Sequence, residues 1–165
     1  TQSTSTSNLD YVIYEKPDTR DASRRIFETF SSYPIKYIDH ISRYSICPDI
    51  IYMGSVLQYI PDYTSAIVEL CALDSEVIML ADQWITKSST FVTSQINERD
   101  RIIPMWIFQF DEIVNHFHQA GYRLISRTSN YQPWVRTGNL SEGISISDSE
   151  NFLFCRGVDK PNTFP

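Results

Sequence analysis

Between Pro48 and Asp62 the chain reads Pro-Asp-Ile-Ile-Tyr-Met-Gly-Ser-Val-Leu-Gln-Tyr-Ile-Pro-Asp, an apolar run that breaks at one glycine and resumes with another period. Few folds accommodate that pattern. Ile50 to Met53, behind a Pro-Asp start, reads as a strand buried on both faces, as in parallel sheets. Gly54 and Ser55 end it. Val56, Leu57, Tyr59 and Ile60 form a short apolar cluster, and Pro61, Asp62 and Thr64 stop one turn and start a helix, Ser65 to Leu73. The order is strand, crevice, turn, helix. Open α/β sheets bind ligands outside the carboxyl ends of their strands, which directs attention to Met53 through Tyr59. A βα connection that holds no ligand is the plainer alternative.

The rest of the chain repeats this α/β alternation. Leu9 to Tyr14 reads as a strand, followed by an amphipathic helix over Thr19 to Phe30. Pro34 to Ile38 is a second short strand. Val77 to Leu80, between Glu76 and Ala81, has the look of a buried parallel strand, with Asp82-Gln83-Trp84 at its end. Ile85 to Arg101 is polar and reads as a substrate-side loop or lid. Phe110 to Ala120 is the clearest helix, with Asp111 as its cap and Gly121 as the left-handed residue that ends it. Tyr122 to Thr128 and Asn151 to Gly157 read as strands joined by a long polar connection, Asn130 to Ser149.

Several residues have chemistry to offer. Glu15 stands at a strand's carboxyl end, where a carboxylate accepts two hydrogen bonds from a ribose diol; a solvated charge is the plainer alternative. Asp39 and His40 stand at the end of the next strand, where a histidine is ordinarily a surface hydrogen-bonder. Asp49 lies at the opposite end of its strand. His116 and His118 are two apart on a helix and point to different faces, against a shared metal. Cys47, Cys71 and Cys155 form no Cys-x-x-Cys pair or metal-ligand spacing and fit reduced thiols in a cytoplasmic protein.

The Ser-Val-Leu-Gln-Tyr-Ile turn after an apolar strand resembles the strand-four region of class I S-adenosylmethionine-dependent methyltransferases. Met105-Trp106-Ile107-Phe108, the helix behind it and Tyr122-Arg123-Leu124 resemble the later half of a bacterial methyltransferase group with the same Leu-Gln-Tyr turn. The resemblance runs from about Tyr11 to Arg156. It implies a Rossmann-like α/β fold with a mostly parallel sheet and antiparallel carboxyl-terminal strands. It implies S-adenosylmethionine as cofactor, with Glu15 on its ribose, Asp39 at the adenine amino group, His40 and Ile41 beside the ring, and Gly54-Ser55 at the crevice. Tyr59, Gln95 and Trp106 would face the substrate, although Trp106 equally suits a core.

One element of that family is missing. The glycine-rich first strand would precede Leu9, and the five glycines include no G-x-G. Without that central strand the sheet would be split, with unpaired edges. Three explanations stay open: the chain is the later part of a longer protein, another chain supplies the strand, or cofactor binding is lost on a rearranged fold. The first is preferred.

The 165 residues suit one domain, residues 1–165. A net charge of −6 disfavours nucleic acid as a partner, no apolar run approaches the ~20 residues that cross a bilayer, and Thr1 to Asn8 lack the pattern of a secretory signal. Split edges with 13% aromatic residues point to a homo-oligomer or an upstream segment that completes the sheet. The expected activity is methyl transfer to a small-molecule or sugar-type acceptor. The competing expectation is a non-catalytic interaction module on a degenerate fold.

Overall fold

A computed structural model of the chain describes residues 9–30, 35–41, 44–45, 47–98, 101–130, 140, 144 and 146–157. It divides into two compact units, residues 1–46 and 47–165.

The first unit is a βαβ crossover. Strand β1 (Tyr11–Tyr14) leads through α1 (Pro17–Phe30) to β2 (Ile35–Ile38), and β1 and β2 pair in parallel with Tyr14 opposite Ile38. Pro17 suits the first helical position because its missing N–H has no partner there in any case. Pro34, expected to open β2, lies outside the described residues.

The second unit carries the core. It contains β3 (Ile50–Gly54), a 3-10 turn (Leu57–Tyr59), α2 (Tyr63–Cys71), β4 (Val77–Thr86), β5 (Phe91–Glu98), β6 (Arg101–Gln109), α3 (Phe110–Gln119), β7 (Tyr122–Asn130) and β8 (Ile146–Arg156). Its sheet runs β5-β6-β4-β8-β7, with β3 also paired to β4. The sheet is mixed: β3–β4 and the short β4–β6 contact are parallel, whereas β4–β8, β7–β8 and β5–β6 are antiparallel. The strand over Val77 to Leu80 runs on to Thr86, past a register shift between Leu80 and Gln83.

Side-chain alternation decides which face is buried. Ile78 and Leu80 of β4 and Phe152 and Phe154 of β8 turn to one face, with Ile51 and Met53 of β3 packed against the same cluster. Ile67 of α2 and Ile113 and Phe117 of α3 close over them, and the Phe117 and Phe154 rings stack at 4.3 Å. Each such burial contributes about 1.5–3 kcal/mol. On the opposite face Ile50 and Tyr52 are each 65% exposed, so β3 is not the doubly buried strand its composition suggests.

Caps fix where the helices start. The Asp62 carboxylate accepts from the Ser65 N–H, so α2 begins two residues before Ser65, the expected start. In α3 the cap is Gln109, whose Oε1 accepts from the Glu112 N–H at 2.8 Å; Asp111, expected in that role, lies inside the first turn. Gly121, with φ of +87°, supplies the expected left-handed ending.

The largest departure from the sequence reading is the region expected to be a polar loop or lid. Ile85 is the penultimate residue of β4, and Phe91–Glu98 with Arg101–Gln109 forms an antiparallel hairpin. Most of the long connection expected between Asn130 and Ser149 lies outside the described residues.

Candidate functional site

In the second unit the carboxyl end of β3 lies beside the middle of β4, with Gly54 opposite Ala81. Both strands bend just there. Ser55 has φ of 52° and Asp82 has φ of 60°, left-handed values that side chains with a Cβ rarely adopt. Two such residues, one just past the end of β3 and one inside β4, mark locally stored strain, which the surrounding bonds must hold. The Ser55 N–H donates to the Ala81 carbonyl at 3.0 Å, and the Ser55 hydroxyl donates to Asp82 Oδ2 at 2.5 Å. The Asp82 N–H donates to Asn151 Oδ1 at 2.9 Å, bringing β8 into the site.

Two glutamine amides lie beneath these groups. Gln58, in the 3-10 turn, is 1% exposed and Gln83 is fully buried. Gln58 Nε2 donates to the Asp82 carbonyl at 3.4 Å and Gln83 Nε2 to the Ala81 carbonyl at 2.7 Å. Their Oε1 atoms are buried and accept no hydrogen bond. Such orphaned acceptors are uncommon and costly in a settled interior.

The β5–β6 hairpin is tied to the turn after β3. The Tyr59 hydroxyl donates to Gln95 Oε1 at 2.6 Å, and Trp106 Nε1 donates to the Ile60 carbonyl at 3.1 Å. Tyr59, Gln95 and Trp106, expected on the substrate side, are thus brought together around one turn. Burial pushes the Tyr59 phenol above its ordinary pKa. Trp106 also packs edge-on against Tyr63 at 5.1 Å, as its core alternative anticipates. At the base of the hairpin, Glu112 accepts from the Tyr63 hydroxyl at 2.7 Å and from the Thr90 hydroxyl at 2.5 Å. The Thr90 bond holds the Glu112 carboxyl below its usual pKa, and burial, with Glu112 beside it, pushes Tyr63 up to about 12.

Gly54 makes room for a side chain of its own strand. A Cβ added there would stand 2.4 Å from the Tyr52 hydroxyl. The positive φ that a glycine turn suggests belongs to Ser55 instead.

In the first unit Glu15 and Asp39 each follow the last paired residue of adjacent parallel strands, so both stand at carboxyl ends. One Glu15 oxygen, Oε1, accepts from the Lys16 N–H at 2.8 Å. Asp39 is paired with Arg20 of α1, and His40 is exposed. A strand-end carboxylate of this kind suits a ribose diol, and the Asp39 pairing sets a competitor against any adenine amino group.

Asp82, Gln58, Gln83 and Asn151 were not singled out by the sequence. Asp82-Gln83 follows the apolar run and reads as its end; only Trp84 and Ile85 beyond it signal that the strand continues. Among the described residues no group of three or more His, Cys, Asp or Glu could hold a metal. None of the described helices is long and apolar enough to cross a membrane.

No protein-family model and no curated protein matches the sequence. Solved structures do match. An S-adenosylmethionine-dependent methyltransferase from Clostridium acetobutylicum ATCC 824 superposes with a TM-score of 0.62 at 8% identity, covering 91% of this chain and 76% of that one. The chain has a Rossmann-like methyltransferase fold. Magnesium protoporphyrin IX methyltransferase from Synechocystis PCC 6803, with bound SAH, gives 0.53 at 9% identity over 84% of this chain and 59% of the other. A methyltransferase from Methanosarcina mazei gives 0.54 at 14% identity over 89% and 92%. This chain therefore spans less than two thirds of the protoporphyrin methyltransferase and nearly all of the Methanosarcina protein.

Proposed function

We propose that the chain is an S-adenosylmethionine-dependent methyltransferase, or the carboxyl-terminal portion of one, and that its two units belong to one methyltransferase-like domain. The observation that carries the proposal is the convergence of Ser55, Gln58, Asp82, Gln83 and Asn151 where the carboxyl end of β3 meets the irregular middle of β4, in a fold class whose ligands bind outside the carboxyl ends of strands such as β3. In this reading Glu15 accepts from the cofactor ribose, Asp39 and His40 border the adenine, and the backbone at Gly54 and Ser55 borders the methionine end. Support comes from neighbours such as the protoporphyrin methyltransferase, whose structure holds SAH.

When bound, S-adenosylmethionine supplies an electrophilic methyl sulfonium: a lone pair of the acceptor forms the new bond to carbon, the carbon–sulfur pair stays on sulfur, and the acceptor proton leaves to solvent. The chain's part is positioning, which converts a bimolecular encounter into an oriented one and requires no general base of its own. Tyr59, Gln95 and Trp106 hold the acceptor side of the crevice, and the acceptor is a small molecule. The test is photolabelling of the full-length protein with methyl-tritiated S-adenosylmethionine followed by peptide mapping. Label on the peptides that contain Glu15 or Ser55, competed by excess S-adenosylhomocysteine, is expected; label spread without competition would refute the assignment.

A further inference from the structure

The two orphaned glutamine carbonyls have no role in the account so far. Gln58 and Gln83 come from different elements, yet their Nε2 atoms anchor on consecutive carbonyls, Asp82 and Ala81, and the Ala81 carbonyl also receives the Ser55 N–H. Both amides therefore belong to the same cluster beside the end of β3. Each donates one amide N–H to the backbone and leaves its buried carbonyl oxygen without a partner. An unsatisfied buried acceptor carries a desolvation cost that a ligand donating to it would relieve.

The hold on the two amides differs. Gln83 is fixed at 2.7 Å, whereas Gln58 is held at 3.4 Å, near the limit of a hydrogen bond. The terminal amide torsion is broad, so the Gln58 group turns without leaving its rotamer. The Tyr59 hydroxyl lies beside it and is itself committed to Gln95. The atoms of the cluster left without a partner are thus two acceptors, Gln58 Oε1 and Gln83 Oε1. Arg127, the cation nearest in the sheet register, is engaged by Glu150 through two bonds, at 2.5 and 2.7 Å.

We propose, on the footing of the methyltransferase reading, that Gln58 and Gln83 select a neutral acceptor molecule that donates hydrogen bonds through O–H or N–H groups, and discriminate against its methylated product. Methyl transfer to oxygen or nitrogen removes a donor from the acceptor. A site that satisfies its buried carbonyls with that donor holds the substrate and loses its grip on the product, so the same two residues govern selection and release. Sites built around a substrate O–H or N–H reject the analogue that lacks it far more strongly than apolar pockets reject a missing methylene, because the polar atoms of the site are left unpaired.

The experiment uses three matched pairs as probes: phenol and anisole, 2-pyridone and 1-methyl-2-pyridone, aniline and N,N-dimethylaniline. Each is titrated into the full-length protein with S-adenosylhomocysteine present, and affinity is read from the indole N–H resonance of Trp106. The wild-type protein should bind the donor-bearing member of at least one pair about tenfold tighter than its methylated partner, a preference that falls below about twofold in Gln58→Met and Gln83→Met. Gln58→Glu, which keeps an acceptor oxygen, should retain it. The proposal is overturned if the wild-type protein shows no preference in any pair, or if the Met variants keep it, the result expected of amides that merely hold a buried water. S-adenosylhomocysteine affinity is measured separately for each protein: its absence in the wild type ends the methyltransferase reading, whereas intact affinity with unchanged discrimination ends only the assignment of the two glutamines.

Discussion

Ser55 carries two opposing contributions. Its left-handed backbone costs about 1–2 kcal/mol in a residue with a Cβ, while its hydroxyl makes a charge-assisted bond to Asp82, of the class worth about 1.5–3 kcal/mol. Ser55→Ala keeps the cost and loses the bond; Ser55→Gly loses both. Urea denaturation should therefore show Ser55→Ala as the less stable of the two by roughly 1 kcal/mol, and equal stabilities would mean that the backbone there is unstrained. The sequence showed that something happens at Gly54-Ser55 because an apolar run stops there, but it pointed to the glycine. The left-handed residue is the serine, and the glycine's missing Cβ is occupied by Tyr52. Contacts two residues apart on one strand face depend on side-chain direction, which composition does not carry. Gln58 and Gln83 receive no role from the sequence for a similar reason: Gln58 reads only as part of the Leu-Gln-Tyr turn and Gln83 only as part of a strand end, and the burial of either amide is not carried by composition.

At the scale of elements, the α/β alternation, the helix spans to within a few residues and the antiparallel finish were legible, because each has a distinct period or cap. The β5–β6 hairpin was not. Burial alternates along β5, with Phe91, Thr93 and Gln95 half-buried and Val92, Ser94 and Ile96 exposed, but each face mixes apolar with polar side chains, so the hydropathy of the sequence does not follow the alternation. Its base is fastened by Thr90, Glu112 and Tyr63, which makes its attachment dependent on pH. The folded Glu112 carboxyl titrates below its ordinary value, so its contribution is present above about pH 4.5 and lost as pH falls through the folded value. The folded Tyr63 phenol titrates higher, at about 12 against 10.0, so its contribution is present below pH 10 and declines as pH rises toward 12. Stability measured against pH should lose the alkaline decline in Tyr63→Phe and soften the acid one in Glu112→Gln. Identical slopes in variant and parent would show that the joint does not titrate as described.

At the scale of the whole molecule the feature that stands out is an edge. Among the described residues β3 pairs with β4 on one side, and β1 pairs with β2. An exposed strand edge with apolar side chains such as Ile50 and Tyr52 beside it is a site for strand addition. The expectation from the sequence, a first strand supplied by an upstream segment or by another copy, takes a testable form here. In the working protein the β3 amides that point away from β4 should exchange with solvent as slowly as those of β4; exchange at the rate of a free edge in a monomeric, active protein would dispose of the completing strand.

The central proposal is that S-adenosylmethionine binds with its ribose at Glu15, and calorimetric titration of the full-length protein with S-adenosylmethionine tests it most directly. Charge-assisted bonds from a ribose diol to Glu15 contribute about 1.5–3 kcal/mol each, so the parent should bind and Glu15→Gln should bind roughly tenfold or more weakly, with Asp39→Asn less affected because Arg20 already competes for that carboxylate. No heat of binding at millimolar cofactor in the full-length parent would contradict the account and favour an interaction module built on the same fold.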